Sequence, residues 1–518
     1  MSNIVLLSYQ EYLLEAIDKC RDSVDFNLIY CTNNGNFSRK ILQKFNKTYF
    51  HDHFDSLKGI STEKMRLPSP ELFDDSQKFI PECLLMLERH LPLGLPKPFR
   101  IPFQHIQKLF GFWEEYLLKN QVKLIILEEE PHTLSDYICY RVAIFYKIKC
   151  LMFSRLPHGY SYVVYDSIEF DAKPIFFPGL ETEMQKEDII TYFNLLSRNY
   201  SEIEEMQLFD EKPQFGNKLK TTKSIKILNF LKLFLKSISR AWNALFLALI
   251  NSKKIKHGIF RYCKNKKRFI DLSYALFLIH RSYAILKSIS TRKHYEKLTD
   301  NSDYKFPFIF FPLHMQPEKT TNPMGGIYDD QEYLIGLLLE TIPRDWKVVI
   351  KEHKSQYVKR FIRWPFFYKD KNMFNKLKSN NQIVFAPINE DPFKLIDKSK
   401  GIATISGTVG IEALFRKKPV LLFGRPWYRF HKSLNYISSK KELIKQVSKI
   451  VSIEYSFDEK LETNNKIFVE SLKKLSYPGY VGRVSKHYRD DIYGTNSSSF
   501  AKIIKLQLID IKNSTRRK

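Results

Sequence analysis

Four short stretches place groups able to handle phosphate and hydroxyl chemistry at the ends of apolar runs. The first is TISGTVGIEALFRKKPVLLFG, from Thr404 to Gly424. A strand ending near Ser406, a tight turn at Gly407 and a helix capped by Ser406 or Thr408 would aim free N–H groups at an anion. Glu412, one turn into that helix, is positioned to reach a sugar or ribose hydroxyl. The second is VVIKEH, in which an apolar strand delivers Lys351, Glu352 and His353 at its carboxyl end. That edge is where open α/β sheets bind ligands, and Lys and His there neutralise phosphate charge. The third is FFPLHMQPEKTTNPMGGIYDDQ, from Phe310 to Gln331, a long polar loop carrying His314 and Gln316. The fourth is LEEEPHTLSD, from Leu127 to Asp136. Its carboxylates and His132 could supply a general base, with Glu130 or His132 as the candidates.

Each stretch also has a plain structural reading. The first fits a strand–turn–helix unit whose small residues allow close packing. A lone histidine such as His353 is commonly structural. The acidic run before Thr133 fits a cap for the following helix.

These groups need a scaffold, and the apolar pattern supplies one. Ile4–Leu7, Phe26–Cys31 and Val122–Leu127 read as buried strands, with helices over Tyr12–Ile17 and Asp136–Tyr146. Later strands are expected at Phe308–Pro312, Lys347–Lys351, Ile383–Ala386, Gly401–Ile405 and Pro419–Phe423. The helices between them fall near Gln331–Thr341, Pro392–Asp397, Val409–Arg416 and Lys441–Ile450. Such alternation implies an α/β class with parallel sheets. The expected division is 1–180, an insert over 181–300, a second α/β unit over 301–455 and a helical tail over 456–518.

The chain has 518 residues and a net charge of +27, with 44% hydrophobic and 14% aromatic residues. That apolar mass excludes a mainly disordered chain. Six scattered cysteines form no CxxC pair, which argues against a disulfide framework or a standard zinc site. The start, MSNIVLLSYQEYLLEAIDKC, lacks a basic region and reads as a strand and a helix rather than a signal peptide. No apolar run reaches the length of a membrane span.

The charge is concentrated. From Lys218 to Lys297 there are 20 Lys and Arg against only Asp271 and Glu296. In Ile225–Arg240 the cations Lys226, Lys232, Lys236 and Arg240, with Lys223 just ahead, fall on one half of a helical wheel, opposite Ile, Leu and Phe; Trp242 follows. Two readings stay open: a helix lying on an anionic membrane surface, or a helical hairpin packed on its own protein. Nucleic acid is not the expected partner, because its binders carry basic charge on their main folded domains.

Taken in order, FPLHMQPE, GGIYDDQ, VVIKEHK and ISGTVGIEALFRKKPVLLFG, followed by Trp427 and Tyr428, resemble the capsule polysaccharide biosynthesis family. Members of that family are similar to GT-B glycosyltransferases such as the Kdo transferases of capsule assembly. The resemblance covers roughly 308–430. It implies two Rossmann-like domains facing a cleft, with a nucleotide-sugar donor (CMP-Kdo or a UDP- or GDP-sugar) on the second. Lys351 and His353 would meet the donor phosphates. Ser406, Gly407 and Thr408 would make a further phosphate or nucleotide contact. Glu412 would touch ribose or sugar, and His314 and Gln316 would line the cleft. Neither a metal nor a cofactor is expected, since GT-B transfer mostly needs no fixed metal. The implied acceptor is a surface polysaccharide or glycolipid, and the implied location is cytoplasmic, with peripheral contact at the inner membrane face. A non-catalytic carbohydrate-binding or scaffold protein of capsule assembly or export is the alternative. In one departure, Lys354 stands where the family often has proline.

Overall fold

The computed structural model describes residues 1–8, 10–33, 37–52, 66–88, 100–198, 200–201, 239, 287–300, 303–357, 369–452, 459–482 and 496–516. The basic amphipathic stretch Ile225–Arg240 lies outside the described residues, Ser239 apart. Residues 287–298, at the end of the basic segment, are helical.

The first sheet is built on β1 (Ser2–Leu7), β2 (Phe26–Asn33), β3 (Tyr49–Asp52), β4 (Val122–Leu127), β5 (Lys149–Arg155) and β6 (Ser161–Tyr165). The second comprises β7 (Phe308–Pro312), β8 (Lys347–Lys351), β9 (Ile383–Ala386), β10 (Gly401–Thr404), β11 (Val420–Leu422) and β12 (Asn435–Tyr436). A last strand, β13 (Ser476–Pro478), returns to the first sheet. The strand orders are β13-β6-β5-β4-β1-β2-β3 and β12-β11-β10-β7-β8-β9. All pairings in the second sheet are parallel. In both sheets the order reverses beside the first strand, giving the Rossmann-like doubly wound arrangement and a crevice at the strands' carboxyl ends. The first sheet departs from the all-parallel expectation at one edge, where β6 and β13 run antiparallel.

Burial on both faces explains why the strands read as continuous apolar runs. Ile4 and Leu6 point to one core with helix Glu11–Cys20 and the late helix Asn496–Arg516. Val5 and Leu7 point to the other, with helices Arg100–Lys119 and Leu134–Phe145. In β7 the same alternation sends Phe308 and Phe310 to one core and Ile309 and Phe311 to another. Beyond residue 458 the described elements are the helices Glu459–Leu475 and Asn496–Arg516 and the strand β13. β13 pairs with β6, and Lys19 Nζ donates to Ser497 Oγ at 2.9 Å. Among the described residues no helix is long and apolar enough to cross a membrane.

Candidate functional site

The carboxyl edge of the second sheet is organised around His314. Leu313 prolongs the ladder by donating its N–H to the Lys351 carbonyl at 2.8 Å, which sets the next residue over the turn after β10. There the His314 Nε2 accepts the Ser406 N–H at 3.3 Å and lies 3.3 Å from Thr404 Oγ1. An Nε2 that accepts leaves the neutral ring's proton on Nδ1, and this atom is buried without a partner. Burial first, then the cations and imidazole of Lys369 and His353, push the His314 pKa down to about 3. The ring is therefore neutral near pH 7 and presents one unused N–H.

His353 has the mirror arrangement. Its Nδ1 accepts the Ser355 N–H at 3.1 Å, so the proton sits on Nε2. The side chain is exposed. Its crowded surroundings, then Lys369, Lys351 and Lys354, hold its pKa low. Two neutral imidazoles, each with one ring N–H that has no partner among the described residues, thus stand near each other at the carboxyl ends of β7 and β8.

The groups beneath them are struts. Glu352 is 0% exposed; it pairs with Lys369 Nζ at 2.7 Å and accepts the His353 N–H at 2.7 Å and the Tyr357 hydroxyl at 3.1 Å. Lys369 also donates to the His314 carbonyl at 2.6 Å, so one ammonium ties both histidine segments together. Gln316 accepts from Gln331 Nε2 at 2.5 Å and donates to the Asp329 carbonyl at 2.9 Å; its backbone exchanges two bonds with the Gln356 amide. Gln316 and Glu352 therefore have their side-chain bonds inside the protein. Lys351 is buried, its ammonium has no hydrogen bond or ion pair among the described residues, and its pKa is drawn down to about 8, by burial and then by Lys354. Nearby Glu390 and Asp391 oppose that shift.

The turn itself uses its amides internally. Gly407 N–H donates to Thr404 Oγ1 at 3.2 Å, and the Ser406 hydroxyl donates to the Thr320 carbonyl at 2.5 Å. Gly407 is small for a reason: a Cβ there would lie 3.2 Å from His314 Nε2. Thr408 precedes helix Val409–Phe415, and its hydroxyl bonds Glu412. Glu412 is buried near Tyr192 and Tyr428.

Burial raises the Glu412 pKa from 4.5 to about 7 against the pull of Thr408 and Arg416. The folded chain therefore binds this proton more tightly than the unfolded chain does. Stability should fall as pH rises from about 4.5 to about 7, by an amount on the order of 3 kcal/mol. Glu412→Gln should remove that slope. Melting temperatures of both proteins across pH 5–8 check this, and parallel curves would refute it.

The first sheet brings Glu130 to the same loop. Its carboxylate pairs with Lys319 Nζ at 2.9 Å, and Glu129 pairs with the same ammonium at 2.6 Å. Ser154 Oγ donates a short hydrogen bond to Glu130. Burial would raise the Glu130 pKa, but Lys319 and Ser154 outweigh it and hold it low. His132 Nδ1 lies 3.1 Å from the Glu130 carbonyl, and its Nε2 is 3.9 Å from Glu129. The structure thus gathers His314, Ser406, Gly407 and His353 at the second sheet's carboxyl edge and ties Glu130 to the loop after β7 through Lys319. Lys351 lies near enough to His353 to help lower its pKa, whereas Glu412 is buried beside Tyr192 and Tyr428. Sequence reading missed Lys319, Gln331 and Gln356, although the first two lie inside the long polar loop it singled out. Lys369 had no local signal. Among the described residues no group of three or more His, Cys, Asp or Glu is placed to hold a metal.

No curated protein matches the chain. Among solved structures it is similar to the UDP-GlcNAc 2-epimerase from Methanocaldococcus jannaschii, at 15% identity, covering 91% of this chain and 98% of that one, with a TM-score of 0.24. It is also similar to Anabaena HepE in complex with UDP-glucose, at 10% identity, 100% and 99% coverage and a TM-score of 0.22. A third is KpsC, a beta Kdo 2,4 transferase from Thermosulfurimonas dismutans, at 12% identity, 65% and 85% coverage and a TM-score of 0.24. Residues 238–434, a stretch that begins inside the basic segment and spans the His314, His353 and Ser406 motifs, match the capsule polysaccharide biosynthesis protein family, the family that those motifs resemble.

Proposed function

We propose that the protein is a glycosyltransferase that moves a sugar from a nucleotide-activated donor to a capsular or other surface polysaccharide or glycolipid. The observation that carries this reading is the pair of neutral imidazoles, His314 and His353, each with an unused N–H at the second sheet's carboxyl edge. In transfer, an acceptor hydroxyl oxygen bonds to the anomeric carbon, and the bond from that carbon to the phosphate oxygen breaks. The nucleotide leaves with the electron pair. Preorganised N–H donors stabilise charge developing on such an oxygen without first having to reorganise. The hydroxyl proton goes to Glu130, which is free to accept it once Lys319 has released its carboxylate. The basic segment over 218–298 is read as the contact with anionic membrane, where such acceptors are assembled.

One observation favours a second reading. Glu130 is bound to Lys319, and a carboxylate held low by an ammonium is a weak base. That state suits a carbohydrate-binding or scaffold protein of capsule assembly. A thermal-shift panel of CMP-, UDP- and GDP-sugars, followed by a transfer assay on any hit, separates the two. Binding raises the melting temperature. Binding with turnover supports transfer, binding without turnover supports the scaffold, and no shift with any nucleotide sugar defeats both.

A further inference from the structure

The chain leading into the basic segment and the chain coming out of it both touch the loop that follows β8. On the leading side, helix Glu183–Leu195 ends against the second sheet's unit. Arg416 Nη1 donates to the carbonyls of Leu196 and Arg198, both at 2.9 Å, and its Nε donates to Asp397 at 2.6 Å. The same guanidinium lies 4.4 Å from the centre of the Phe393 ring, and Tyr200 meets that ring edge-on at 5.3 Å. The Lys354 ammonium in turn lies 5.1 Å from the centre of the Tyr200 ring, close enough for a ring face to hold a cation. On the returning side, Tyr295, in the helix over 287–298, is 0% exposed. Its hydroxyl accepts the Glu352 N–H at 3.0 Å and donates to the Ala386 carbonyl at 2.7 Å. His353 therefore stands between two residues held from opposite ends of the segment, Glu352 by Tyr295 and Lys354 by Tyr200.

Core filling alone does not require either contact. Tyr295 packs edge-on to Phe374 at 5.2 Å and Phe385 at 5.5 Å, which a phenylalanine would do as well; its hydroxyl is what binds the ends of β8 and β9. A proline after His353 would fix the turn by its own ring. Here Lys354 is fixed instead by a residue at the root of the basic segment. We propose that Tyr200 and Tyr295 are positioning residues that clamp the His353 loop from the two roots of the basic segment, so that an anionic membrane holding the segment stiffens the loop. The inference rests on reading that segment as the membrane contact, and it makes the contact a regulator of the candidate site. Lys and Arg of the segment bind anionic headgroups. A surface that holds both roots narrows the motion of the loop they grip, and a loop already ordered costs less to fix when a ligand binds.

The test is hydrogen–deuterium exchange of the full chain, free, with vesicles of mixed phosphatidylglycerol and phosphatidylcholine, and with vesicles of phosphatidylcholine alone. Amide exchange reports local opening. With the anionic vesicles, the amides of residues 352–357 should exchange at least about fivefold more slowly, the size of an ordinary coupling between two sites. Those of β4, in the first sheet, should not change, and neutral vesicles should alter neither. Tyr200→Leu should still bind anionic vesicles but lose the slowing. If Tyr200→Leu does not fold, Lys354→Met, which removes the cation and leaves the ring, replaces it with the same expectation. Anionic vesicles that bind without slowing exchange over 352–357, or that slow it equally in β4, overturn the proposal. So does a folded Tyr200 or Lys354 variant that keeps the full effect, or a wild-type chain that does not bind anionic vesicles. A nucleotide-sugar shift measured in parallel keeps the two readings apart. Its absence, with slowed exchange present, would defeat the transferase reading and leave the clamp standing; a shift without any exchange response would do the reverse.

Discussion

Replacing Lys369 by methionine should lower the melting temperature of the second sheet's unit by about 10 °C. Glu352 and Lys369 are a buried pair, with side chains 0% and 1% exposed. Such a pair is not a large net stabiliser, because both charges were taken out of water. Removing one partner is different, since the other charge is then buried alone, at a cost of about 3–5 kcal/mol. A unit of this size loses about 2–4 °C for each kcal/mol. The effect should spread to the site, because Lys369 also holds the His314 carbonyl at 2.6 Å. Adding Glu352→Gln to Lys369→Met should recover more than half of the loss, since no unpaired charge remains. Scanning calorimetry of the single and double variants checks this. A single variant that melts within about 2 °C of the wild type would show that water already solvates the pair.

His353→Ala should reduce sugar transfer by about 10²–10³-fold, the cost of one preorganised donor at a developing oxyanion. Stability should change by less than about 1 kcal/mol, because the side chain is exposed and its ring holds only the Ser355 N–H. His353→Gln restores a side-chain N–H and should recover part of the rate. Initial rates with a donor identified by thermal shift, alongside the melting curves, decide the matter. An unchanged rate in a folded His353→Ala protein would remove the imidazole pair from the mechanism.

The strands that position these groups were legible because they are buried on both faces. Runs such as Phe308–Pro312 and Lys347–Lys351 are apolar throughout, and their ends mark the binding edge. Strand β13, with sequence SYP, has no such mark. It is three residues long, contains proline, and owes its place to β6 some three hundred residues earlier. Helix Arg100–Lys119 was obscured by Pro102 and Gly111. The glycine is required there because a Cβ would sit 2.1 Å from the Arg66 carbonyl oxygen. At the site, the strand-end histidines could be picked out by position. Their hydrogen-bond partners could not, because the bonds from Ser406 to His314 and from Lys319 to Glu130 join residues brought together only by the folded sheets. Glu352 and Gln316 show the converse, since polar residues in a suggestive motif turned out to brace it.

The return of β13 and helix Asn496–Arg516 to the first sheet reverses the order in which the two halves can be finished on the ribosome. The second sheet has all its strands once Tyr436 has emerged, while the earlier-made first sheet still lacks its edge strand and the helix that seals one of its cores. Through the synthesis of the last stretch, the half made first stays open along β6 and along the apolar face of Ile4, Leu6 and Phe153. Released chains that end near residue 460 should therefore resist protease over residues 303–357 and 369–452 and be cut within residues 100–165.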